Sequence, residues 1–141
     1  YYFAVNSAAA VLGPGLYLRL KPLMTNDAIL RFSFLGVLFS ALAVFFLGHI
    51  AAIFMLLSFL PFTIIESMIR PFGMNLLLRE VKENIGTASS VINFVQTLLG
   101  SIGMMLGTLP WGDFIQGLAI IMFVALGLAI GLWRFLPSKA I

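Results

Sequence analysis

Residues 32–65, FSFLGVLFSALAVFFLGHIAAIFMLLSFLPFTII, are 34 consecutive positions without a Lys, Arg, Asp or Glu. A helix rises 1.5 Å per residue, so a single rod of this length would reach about 51 Å. A bilayer core is roughly 30 Å thick and is crossed by about 20 apolar residues. The run therefore holds two crossings, and Gly48-His49 is where the chain turns between them. Working outward, charge-free stretches also cover residues 1–18, 84–112 and 114–133. The pattern predicts an all-α, polytopic membrane bundle with five transmembrane helices, at about 1–19, 29–48, 50–73, 88–109 and 114–134. A closed barrel is excluded, because its strands need only about 10 residues of alternating character and these runs are continuous.

Composition agrees with that reading. Of 141 residues, 62% are hydrophobic, only 8 are Lys or Arg and 5 are Asp or Glu, and the mean hydropathy is +1.13. A soluble domain carries about 25% charged residues, so this chain cannot cover a globular surface with polar groups. The same numbers exclude disorder. The basic residues are one-sided. Arg19, Lys21 and Arg31 flank the first loop (20–28), Arg79 and Lys82 lie in the third, and Arg134 and Lys139 follow the last span. Five crossings bring all three regions to one side. The other side holds Gly48-His49 and Pro110-Trp111-Gly112-Asp113, without Lys or Arg. The positive-inside rule makes the basic side and the carboxyl terminus cytoplasmic and places Tyr1 outside. The net charge of +3 is then a topology signal and implies no nucleic-acid partner; the lipid bilayer is the partner it implies. A chain that starts outside, at Tyr1-Tyr2 with no charged leader, reads as a single membrane domain over 1–141 that lacks upstream spans.

Inside the spans, polar residues mark where function is expected, because they are costly in lipid. On the fourth span Ser89, Asn93, Gln96, Gly100, Gly103 and Gly107 fall within an arc of about 80°. Asn93 and Gln96 are read either as interhelical hydrogen-bond groups or as the wall of a solute path, as is Asn6 on the first span. Gly100, Gly103 and Gly107, with Gly127 and Gly131 on the fifth span, are read as small-residue packing positions. The third span holds the one intramembrane carboxylate, Glu66, with Arg70 one turn later; Thr63 and Gly73 share its face. Glu followed by Arg at i,i+4 is the favourable order for an ion pair, so the two are read as a structural pair or as a coupling site. Gly13-Pro14-Gly15 predicts a break in the first helix, Thr87 an N-cap for the fourth, and His49 a solvated turn residue.

Enzyme chemistry finds no residues to perform it. The chain has no Cys and one His, which excludes thiol nucleophiles, thiolate metal sites and a His-based zinc centre. His-Glu-x-x-His is absent, and Asp27 and Asp113 lie in loops on opposite sides. Neither a metal nor another cofactor is expected.

The runs Ile69-Arg70-Pro71-Phe72-Gly73-Met74-Asn75-Leu76-Leu77-Leu78, Gly86-Thr87-Ala88-Ser89-Ser90 and Leu99-Gly100-Ser101-Ile102-Gly103 resemble the carboxyl-terminal half of a major facilitator superfamily transporter. The chain is most similar there to drug:proton antiporters of the Bcr/CflA type, in which a Gly-x-Ala-Ser-Ser box opens the eleventh helix. The resemblance implies that the five spans correspond to helices eight to twelve of a twelve-helix transporter. It implies proton-coupled efflux of drugs or other small lipophilic solutes by alternating access, in a prokaryotic inner membrane. The partners are then the missing amino-terminal half, a small-molecule substrate and protons. Arg19-Leu20-Lys21-Pro22 is a degenerate version of the superfamily's basic loop motif. The alternatives are a permease for a polar nutrient or metabolite and a standalone five-span scaffold protein.

Overall fold

The computed structural model describes residues 1–79 and 83–135; Lys82 and Lys139, counted above among the basic residues, lie outside them. The described residues form five helices and no strand: α1 (Tyr2–Leu20), α2 (Asn26–Leu47), α3 (Ala52–Arg79), α4 (Ile85–Gly107) and α5 (Phe114–Phe135). Four of them, α2 to α5, are long and apolar enough to cross a membrane, which is the make-up of an integral membrane protein. The first span falls short of that standard: in 19 residues α1 carries Asn6, Ser7, Gly13-Pro14-Gly15 and Arg19.

The helices are held in a definite register, with α3 at the centre. Helix α3 packs on α1 and on α2, and α2 packs in turn on α5. Along the α1–α3 seam Asn6 meets Thr63 and Tyr17 meets Phe72, so residue numbers rise together and the helices run parallel. Along α2–α3, Ser40 meets Ser58 and Gly36 faces Ile65, so these two are antiparallel. Two apolar clusters fix the ends. Near the basic end Tyr17, Ile29, Leu30, Met68 and Phe72 are buried together, with Trp133 packed against them. Toward the other end Ala41, Val44, Ala119 and Met122 join α2 to α5. Lipid tails are as apolar as these side chains, so close packing and interhelical hydrogen bonds, rather than the hydrophobic effect, hold such seams. Ser40 Oγ donates to Ser58 O at 2.5 Å, with both residues buried.

One glycine sets the closest approach. A Cβ at Gly13 would overlap Ser67 Oγ and stand 2.7 Å from Ile64 O and Met68 N. The expected break at Gly13-Pro14-Gly15 is not made; α1 is continuous through Pro14, and α3 through Pro61 and Pro71. A proline removes one donor from the ladder, and packed neighbouring helices tolerate that loss. Helix α3 also runs six residues past the expected end at 73, so Arg79 closes the helix rather than lying in a loop. Its 28 residues span about 42 Å, longer than a hydrocarbon core of roughly 30 Å. Thr87 is not an N-cap. Asn84 stands before α4 at φ 57°, a left-handed conformation that Asn tolerates, without a side-chain cap bond. At α2, Thr25 does cap, accepting from Ala28 N at 3.3 Å. His49 is an exposed turn residue, as expected.

Helix α4 stands apart, touching α3 and α5 lightly and burying none of its residues. The packing role expected of Gly100, Gly103, Gly107, Gly127 and Gly131 is not seen, since a Cβ at any of them would meet nothing within 4 Å. Helix α5 turns Ala119, Met122 and Leu126 inward, which leaves Gly127 roughly 100° and Gly131 roughly 140° around the helix from that face. The packing glycines are Gly13, Gly36, Gly48 and Gly117, the last lying under the Trp111 ring.

Candidate functional site

Because α4 diverges from α3, a cleft of about 740 Å³ opens between them. Its polar lining is Glu66 and Arg70 from α3 and Asn93, Gln96, Thr97 and Ser101 from α4. Ile69, Leu77, Leu99 and Met104 supply the apolar wall, and Gly73 and Gly100 leave room at its floor. The volume falls within the roughly 300–1,000 Å³ typical of small-molecule sites. Counted from Ala52, Glu66 lies about 21 Å along α3, half-way along the helix.

Helical periodicity builds the site on both sides. Glu66, Arg70 and Gly73 recur at i, i+4 and i+7 and share one face of α3. Arg70 Nε donates to Glu66 Oε1 at 2.6 Å, and Arg70 Nη2 reaches the same oxygen at 2.5 Å. The side chains are 69% and 41% exposed, so this pair faces the cleft and is not a buried strut. On α4, Thr97 Oγ1 donates to Asn93 O at 2.8 Å and Ser101 Oγ to Thr97 O at 2.9 Å. These hydroxyls spend their protons on their own helix and present lone pairs to the cleft. The Asn93 and Gln96 amides form no hydrogen bond among the described residues and are exposed. Neutral amides, hydroxyl acceptors and one opposite-charge pair can bind a polar solute, but they include no nucleophile–base pair. Among the described residues no cluster of His, Cys, Asp and Glu could hold a metal ion.

Of the residues singled out in the sequence, Glu66, Arg70, Asn93, Gln96 and Gly100 come together here. Asn6 does not. It lies in the α1–α3 seam, where its Oδ1 accepts from Thr63 Oγ1 at 2.7 Å. Thr97 and Ser101 were missed, although a hydroxyl every fourth residue after Asn93 is legible as one line along α4. A second, small hollow at the basic end is lined by Tyr17, Lys21, Asn75 and Arg79 among others; there Lys21 Nζ lies 5.8 Å from the Tyr17 ring centroid. Comparisons of the chain with protein-family models, with curated proteins and with solved structures give no match.

Proposed function

We propose that this chain forms one wall of a secondary active transporter, with the α3–α4 cleft on its solute path. The observation that carries this reading is a cleft of about 740 Å³, between two helices long and apolar enough to cross a membrane, with six polar side chains in its lining. Polar groups in membrane helices are costly, and their use there is to meet a solute, water or one another. Alternating access rocks one helix bundle against another around a site near the midplane. The resemblance to the carboxyl-terminal half of major facilitator transporters supplies the partner: an amino-terminal bundle that closes the open side of α4. The one-sided basic residues support a cytoplasmic basic end and carboxyl terminus, and the resemblance supports a prokaryotic inner membrane with protons as the coupling ion.

Between the two solute classes, the amides and the charge pair support a polar nutrient or metabolite. The second reading, efflux of lipophilic drugs, is supported by Ile69, Leu77, Leu99 and Met104 along the same cleft and by the resemblance itself. The test is transport in proteoliposomes by the protein expressed from its complete open reading frame, with and without an imposed proton gradient. Gradient-driven flux that falls when Asn93 and Gln96 are both replaced by Leu supports the proposal. Wild-type rates from the doubly substituted protein refute the assignment of the cleft.

A further inference from the structure

Resting on the transport reading, we infer that the α3–α4 cleft takes a small primary-amine zwitterion of the α-amino acid type. The pairing of Glu66 with Arg70 is lopsided. Both Arg70 nitrogens that engage it, Nε and Nη2, converge on Oε1. With the Arg70 and Glu66 side chains 69% and 41% exposed, Oε2 and Nη1 stay open to a solute in the cleft. One offers a charged acceptor, the other two charged donors, within a single helical turn. A solute with a carboxylate and an ammonium group a few ångströms apart satisfies both, its carboxylate accepting from Arg70 and its ammonium donating to Glu66. Across the cleft Asn93 and Gln96 hold free amides that both donate and accept.

Charge decides against the other solute classes. Glu66 and Arg70 are the only charged residues in the lining, so its net charge is zero. A lipophilic cation gains no net attraction there and would have to compete with Arg70 for the one carboxylate. An uncharged polyol could use the amides, but it offers no charge to either member of the pair. A zwitterion alone neutralises each end of the pair while adding no net charge to the membrane interior.

The experiment uses the protein expressed from its complete open reading frame and measures binding and flux separately. Binding is read as a shift in melting temperature with the neutral protein amino acids, mannitol and tetraphenylphosphonium. Flux is read as saturable exchange of the same compounds in proteoliposomes. One or more amino acids should raise the melting temperature and exchange saturably. Glu66→Gln and Arg70→Gln should each weaken that binding by about tenfold or more. A merely structural pair would not change the chemistry of preference, whereas a binding pair must. Arg70→Gln should come to favour the amine lacking the carboxylate, and Glu66→Gln the carboxylate lacking the amine. Binding of mannitol or tetraphenylphosphonium with no amino acid binding overturns the inference, as does no binding by any of the panel. Amino acid binding without flux sustains the zwitterion site and refutes transport. Saturable flux of mannitol or the cation alone sustains transport and refutes the zwitterion.

Discussion

Gly13→Ala tests whether the α1–α3 seam is as tight as described. The new Cβ would stand 2.7 Å from Ile64 O and Met68 N, two backbone atoms that cannot rotate aside. Ordinary contact begins near 3.4 Å, so the helices must part by about 0.7 Å. A radial gap of about 0.5–1 Å forfeits a quarter to a half of each dispersion contact along the seam. Overpacking of this kind costs about 1–3 kcal/mol, and loosening the Asn6–Thr63 hydrogen bond adds about 0.6 kcal/mol. Alanine returns about 0.5–1 kcal/mol through its better helix propensity. The expected net loss is about 0.6–3 kcal/mol. Gly15→Ala is the control, since it makes the same backbone change two residues away with nothing within 4 Å. Reversible SDS unfolding in bicelles, followed by circular dichroism, should rank Gly15→Ala at or above the parent and Gly13→Ala clearly below it. If Gly13→Ala is as stable as Gly15→Ala, the close seam is wrong.

The hydrogen bonds between helices should be separable from those within one helix. Ser40→Ala removes the bond to Ser58 O and should cost about 0.6–1.7 kcal/mol, whereas Ser33→Ala removes only a bond to Ile29 O of its own helix and should be near neutral in the same unfolding assay. A double-mutant cycle of Asn6→Leu and Thr63→Val should give a coupling of about 0.6 kcal/mol; additive effects would place Asn6 elsewhere. Because the Glu66–Arg70 pair is exposed to the cleft, Glu66→Gln should express and fold like the parent, and a large loss of folded protein would mark the pair as a buried strut. The chain has no Cys, so single-cysteine labelling has no background: His49→Cys should react with an impermeant maleimide from the face opposite to that which labels Lys21→Cys, and labelling of both from one side would refute the topology.

The number of helices and their rough extents were determined by sequence alone. Charges are costly in lipid, and Arg19, Arg79, Asp113 and Arg134 lie at or beside helix ends. The expected spans differ from the helices by at most three residues everywhere except the end of α3, which runs six residues further. The polar face of α3 and that of α4 were legible too, because periodicity reports which residues share a side. Which face meets which partner was decided only by tertiary structure. Gly13 and Gly103 look alike in a sequence, yet one touches a neighbouring backbone and the other faces open space. Asn6 and Asn93 are each a single amide in an apolar helix, yet one is tied to Thr63 and the other lines the cleft. The direction a helix face points is set by how neighbouring helices cross and how far they splay. These are properties of the packed bundle, and the one-dimensional pattern of a single helix does not contain them.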